Sequence, residues 1–228
     1  MNAKFTLYQK LVISLLAFLQ FTVVLDFMIL SPLGAILMPS MHISPQQFGL
    51  VVSAYGFAAG ISGLVAAGFS DSFDRKRLLL FFYGGFVVAT LLCGLAPTYE
   101  LLLTARVLTG CFGGVVGGVV MAITTDVFPV AMRGRAMGIT QSAFAGSQVL
   151  GLPAGLFLAN HWGWHWAFLL IVIVAAIVTV FIAFYLKPVN AHLGATARTP
   201  VAAFAHLGEV ITTPRYIQGF ATTALLAT

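Results

Sequence analysis

Charge is what this sequence has least of. Only 17 of its 228 residues are Asp, Glu, Lys or Arg, or 7%, against roughly 25% in an ordinary soluble domain. Residues 27–70, 78–99, 107–125 and 136–186 carry no charge at all. That scarcity excludes a soluble surface. It also excludes a disordered chain, which needs low hydrophobicity, because 60% of the residues are hydrophobic. Cysteine is nearly absent. Cys93 and Cys111 both sit in apolar runs, so a disulfide framework is excluded and both read as buried free thiols. No Cys and His pair has zinc-ligand spacing. His161 and His165 flank tryptophans, and metal binding there has little to recommend it. The P-loop, the dinucleotide glycine fingerprint, GxSxG, HExxH and paired cleft carboxylates are all missing. No enzyme, metal or cofactor is therefore expected.

What remains is apolar sequence in runs far longer than the 4–8 residues of a buried strand. An outer-membrane barrel would alternate polar and apolar residues, and this chain does not. The pattern predicts an all-α membrane protein embedded in a lipid bilayer. Six spans are expected, over 11–38, 48–70, 78–96, 101–124, 136–160 and 165–186. The first run is too long for the core of a signal peptide and reads as a retained span. A seventh span begins near Tyr216 and has 13 residues before Thr228, about 20 Å of helix against a hydrocarbon core of about 30 Å. The organisation expected is a six-span bundle over 1–186, a hydrophilic linker over 187–215 and the start of a seventh helix over 216–228. The linker carries Pro188, Pro200 and Pro214, with a short surface helix expected over 200–211.

The net charge of +5 would suit nucleic acid or an anionic surface, but the basic residues follow topology instead. Ten of the eleven fall at one side: Lys4, Lys10, Arg75, Lys76, Arg77, Arg133, Arg135, Lys187, Arg198 and Arg215. The opposite loops, 39–47, 97–100 and 161–164, hold no Lys or Arg. The positive-inside rule puts the N-terminus in the cytoplasm, in a multi-pass cell-membrane protein of the bacterial inner-membrane kind. Trp162, Trp164 and Trp166 gather at the other side, where indoles favour the interface. No nucleic-acid partner is expected.

Between spans 2 and 3 stands Ala67-Gly68-Phe69-Ser70-Asp71-Ser72-Phe73-Asp74-Arg75-Lys76-Arg77. It resembles the signature loop of the major facilitator superfamily, departing from it at Ala67, Ser72 and Asp74. Further similarities follow: Arg106 with Gly110 in span 4, GSQVLGLPAG in span 5, Leu25-Asp26 with Ser31-Pro32-Leu33 in span 1, and Gly163–Phe168 at the entry to span 6. The branch resembled is that of drug:proton antiporters and sugar-efflux permeases. The resemblance implies the N-terminal half of a twelve-helix fold, paired with a missing C-terminal six-span half around a midplane site. It implies secondary active transport, with protons and a small-molecule substrate as partners. A uniporter or symporter, or a six-span module that does not transport, are the alternatives.

Asp26 and Arg106 are the only charged residues within the spans. An acid at mid-membrane costs about 2.5–3.5 kcal/mol on insertion scales, so Asp26 must face a cavity, pair, or be neutral. A group able to exchange those states is what proton coupling requires. Arg106, always charged, is its obvious counter-ion, unless it snorkels to the outer interface. Asp71, Arg75 and Asp126 lie on one side, and the resemblance implies that they form a gating charge relay. Gly110, Gly114 and Gly118 share a helix face fit for close packing, as do Gly113 with Gly117 and Gly56 with Gly60. Gly146, Gly151, Pro153 and Gly155 suit a kink or a sliding surface. Gln20, Tyr55, Gln141, Ser142, Ser147 and Gln148 are the sparse polar residues that could line a cavity.

Overall fold

A computed structural model describes residues 4–190. The expected seventh span and the linker beyond Asn190 lie outside the described residues. Within them every regular element is helical: α1 (Leu7–Met41), α2 (Pro45–Ala67), α3 (Arg75–Gly94), α4 (Tyr99–Val127), α5 (Val130–Gly146), α6 (Leu152–Trp162) and α7 (His165–Tyr185). A short 3-10 turn (Ser70–Ser72) precedes α3. A π-turn (Ser147–Gly151) joins α5 to α6, so 130–162 is one continuous rod. The result is the expected bundle of six helices long and apolar enough to cross a membrane.

The N-termini of α1 to α4 follow side-chain caps rather than the edges of hydropathy. Thr6 and Ser44 each form a capping box, with Gln9 and Gln47 respectively, and Pro45 fills the first helical position of α2. Asp74 accepts from the Arg77 amide at 3.0 Å, and Thr98 accepts from Leu101. The helix boundaries depart from those expected. Span 3 was expected from residue 78, yet Arg75, Lys76 and Arg77 form the first turn of α3. Span 5 was expected from 136, yet Arg133 and Arg135 lie on α5 and only Phe128 and Pro129 separate it from α4. Span 2 ends at Ala67 rather than 70. Hydropathy marks the hydrocarbon slab, whereas a helix continues until its orphan amides and carbonyls find partners. α1 illustrates the difference: 35 residues make about 50 Å, well beyond the slab.

Two apolar clusters fill the bundle. One gathers Leu16, Leu19, Leu79, Phe86, Val116, Ile123 and Phe128 toward the basic end. The other gathers Ile29, Leu33, Leu37, Val51, Leu102 and Phe168 toward the opposite end. Along α1, α3 and α4 the buried polar residues Asp26, Thr90, Arg106 and Thr109 fall where one cluster gives way to the other. Meanwhile Phe57, Ile61, Leu64, Phe81, Val88, Phe157 and Phe184 stand exposed, as a lipid-bathed surface requires.

Candidate functional site

Asp26 and Arg106 meet inside the bundle. Arg106 Nη1 donates to Asp26 Oδ2 at 2.7 Å, and both side chains are withdrawn from the surface. Arg106 therefore does not snorkel outward. Its Cζ lies 4.7 Å from the centroid of the Tyr55 ring, a cation–π contact from α2. Thr90 of α3 faces the Asp26 carboxyl, Cys93 borders the guanidinium, and Thr109 stands beside Cys93 with its hydroxyl on the Arg106 backbone carbonyl at 2.9 Å. Four helices thus converge on one ion pair. The pair is loosely satisfied: beyond the 2.7 Å contact, Asp26 Oδ1, Arg106 Nε and Thr90 Oγ1 are buried without a close hydrogen bond, with Thr90 beside the carboxylate and Cys93 beside the guanidinium. A buried pair of this kind has donor and acceptor capacity in reserve, and a proton or polar ligand would compete for it.

Close helix packing brings the groups together. A methyl on Gly110 would press on the backbone of Tyr55 and the side chain of Ala58, and one on Gly114 on the backbone of Ala59. Gly113 lies against the Tyr55 hydroxyl and the Phe86 ring. α4 therefore approaches α2 at backbone distance, and this approach seats Tyr55 beside Arg106. Gly118, expected on the same packing face, has nothing within 4 Å of its Cβ direction, and neither have Gly117, Gly56 and Gly60. Beyond Gly114 the tight contact gives way, toward the basic end, to a groove of about 380 Å³ lined by small residues of both helices, Gly63, Ala66 and Ala67 on one side and Gly118 and Ala122 on the other.

Asp71, Arg75 and Asp126 assemble at that end. Arg75 Nη2 donates to Asp71 Oδ1 at 2.7 Å, its Nε to Asp126 Oδ2 at 3.4 Å and its Nη1 to the Ser70 carbonyl at 3.0 Å. Arg75 is nearly buried, Asp126 is an exposed residue whose side chain is 24% accessible, and Asp71 is exposed at 78% of its side chain. The Arg75 amide also donates to the carbonyl of Val189, just after α7, at 3.1 Å. One arginine thereby ties the α2–α3 turn, the end of α4 and the segment after α7.

In the fifth rod, Pro153 has no amide to donate to the Val149 carbonyl four residues earlier, and the turn just before it is widened to a π-turn over Ser147–Gly151, in which the Leu152 amide donates to the Ser147 carbonyl. Gly151 meets Leu25 and Phe21, and Gly155 meets Ile29, so the rod runs tight against α1 around Asp26. Pro153 itself is exposed. Of the sparse polar residues, Gln141 and Gln148 are exposed, and Ser142 and Ser147 bond their own helix at Ile139 and Phe144. Gln20 buries an amide oxygen without a partner. Cys93 is buried as expected, but Cys111 is partly exposed because it faces away from the packed side of α4. His161 bonds the Phe157 carbonyl, and no metal-holding cluster occurs among the described residues. Sequence reasoning passed over Thr90, Thr109 and the Thr22–Tyr83 hydrogen bond of 2.8 Å that links α1 to α3. Threonines and tyrosines scattered through apolar spans were the only signal.

The family model described as Major Facilitator Superfamily matches residues 16–228. Among curated proteins, an uncharacterized MFS-type transporter, YceJ, of Bacillus subtilis (strain 168) is 34% identical over 65% of this chain and 38% of its own length. Multidrug resistance protein 3 of the same organism is 32% identical over 62% of this chain and 28% of its own. This chain thus matches less than two fifths of either relative. Among solved structures, a bacterial homolog to the human lysosomal transporter Spinster superposes with a TM-score of 0.69 at 20% identity, covering 87% of this chain and 47% of that one.

Proposed function

This chain belongs to the major facilitator superfamily, and on that premise we propose that it forms the N-terminal half of a proton-coupled exporter of small drug- or sugar-like molecules. It is a multi-pass membrane protein with six candidate spans. The observation that carries the reading is the buried Asp26–Arg106 pair at 2.7 Å. Protonation of Asp26 removes one charge of the pair and leaves Arg106 to the Tyr55 ring and the Asp26 backbone carbonyl. A buried cation without its anion is costly, so the protonated state favours another arrangement of α1 against α4. Substrate binding favours the opposite arrangement, and the two together make an alternating-access cycle. A missing C-terminal half completes the path, and the segment after α7 begins the linker to it. Asp71, Arg75 and Asp126 act as the gate on the cytoplasmic side, closing it by charge-assisted hydrogen bonds. The basic end supports a cytoplasmic N-terminus in a bacterial inner membrane. The multidrug resistance name of one relative supports the drug-like class.

The test is a substrate-panel efflux assay on the full-length carrier in proteoliposomes, with and without a pH gradient. The parent exports at least one panel compound, and a protonophore stops it. An Asp26→Asn carrier that keeps full gradient-driven export removes the coupling role. A parent that moves nothing in the panel removes the exporter class.

A further inference from the structure

On the surface of the bundle α1 and α7 part and leave a groove of about 580 Å³. Its walls are apolar, with Leu11, Leu15 and Phe18 on one side and Val174, Ile177 and Phe181 on the other. Lys10 and Ser14, one helical turn apart, are its polar lining residues, and both stand at the basic end of the bundle. No acid lines the groove, and Lys10 has no salt bridge to any acid among the described residues. From Lys10 to Phe18 is about 12 Å along the helix. One leaflet supplies about half of the 30 Å hydrocarbon core. Farther along, a second recess of about 230 Å³ shares Val174 with the first and reaches Gly151 and Leu170. The apolar track therefore continues to the π-turn beside Asp26.

We propose that this groove binds an anionic phospholipid, its phosphate on Lys10 and one acyl chain along the wall toward Phe18. The charge pattern selects this occupant. A neutral apolar molecule would leave Lys10 without an anion, and a soluble anion would make no use of the wall. A lipid with a negative headgroup satisfies both with one molecule and enters sideways from the bilayer. The Ser14 hydroxyl, one turn deeper than Lys10, lies at the depth where the ester linkages follow the phosphate. Because the track ends at the π-turn, a lipid seated there also packs against the part of the fifth rod that touches α1.

The test uses the full-length carrier with Phe181→Trp as a reporter in vesicles. The probes are phosphatidylglycerol and phosphatidylcholine with brominated tails, which quench indoles on contact. Trp162, Trp164 and Trp166 lie at the opposite end of the bundle, and the parent supplies their background. Phosphatidylglycerol is expected to quench the reporter at about fivefold lower lipid fraction, the preference that one basic residue near an anionic surface provides. Lys10→Gln, an exposed substitution, equalises the two lipids, and Lys10→Arg keeps the preference. Equal quenching by both lipids before Lys10 is changed overturns the proposal. So does absence of quenching by either, which would mean that protein covers the groove.

Discussion

Arg106 Nη1 touches two atoms of Asp26, the carboxylate Oδ2 at 2.7 Å and the backbone carbonyl at 3.5 Å. The two residues are 80 positions apart, on α1 and α4, and among the described residues no other charged side chain is buried as deeply. The guanidinium thus holds α1 through a side-chain and a backbone acceptor at once. An amide at position 26 would retain the geometry and lose the charge, which makes the pair accessible to experiment.

Removing the cation alone is expected to be the most damaging single change. Arg106→Ala leaves a buried carboxylate unpaired and costs about 3–5 kcal/mol. Arg106→Ala with Asp26→Asn removes both charges and recovers a large part of that loss. Thermal unfolding of the four members of this cycle in detergent measures the coupling. Additive losses would show that the pair does not act as a unit.

The glycine row of α4 makes a graded prediction. Gly114→Ala forces a methyl into the Ala59 backbone and costs about 1–3 kcal/mol. Gly118→Ala meets open space and is expected to be neutral or slightly stabilising, since Ala favours helix over Gly. Melting temperatures of the two variants, compared side by side, check the order.

Stability and transport separate at the charged end. Asp71 is exposed at 78% of its side chain, so Asp71→Asn changes stability by less than about 1 kcal/mol. If Asp71 belongs to the gate, export falls nonetheless. Arg75→Ala lowers both, because its guanidinium holds two acids and the Ser70 carbonyl. Parallel melting and export assays distinguish a gate from a loop anchor. An Asp71→Asn carrier with unchanged export excludes the gating role for that residue.

The Thr22–Tyr83 hydrogen bond gives a smaller effect. Tyr83→Phe removes it while Thr22 keeps its bond to the Leu19 carbonyl at 2.8 Å. Interhelical hydrogen bonds of this kind average about 0.6 kcal/mol and reach about 1.7. A loss within that range in an equilibrium unfolding assay is expected.

The six spans were legible because hydrocarbon demands about 20 apolar residues per crossing, and this composition supplies them. The common side of Arg75–Arg77, Arg133, Arg135 and Lys187 was legible for the same reason, once the spans were counted. Helix ends were read less well. The capping boxes at Thr6 and Ser44 were present in the sequence as T-x-x-Q and S-x-x-Q, and hydropathy does not register them. Asp26 and Arg106 stood out as charges where charge is costly, and their pairing could be suspected because neither had another partner in the membrane.

What the sequence alone determined was therefore the class, the number of crossings and the two residues worth watching. Which face of each helix turns inward was decided only by tertiary packing. In water, an amphipathic period marks the buried face. In lipid the outside is as apolar as the inside, so that period fades and small residues carry the interface instead. Gly110 and Gly114 pack while Gly118 does not, although all three share one helical face. The choice depends on which part of α2 stands opposite each glycine, backbone at Gly110 and Gly114 and an open groove at Gly118, and no spacing rule within α4 contains that. The same packing set Tyr55 over Arg106 and put Thr90 opposite Asp26, and so turned two isolated charges into one site.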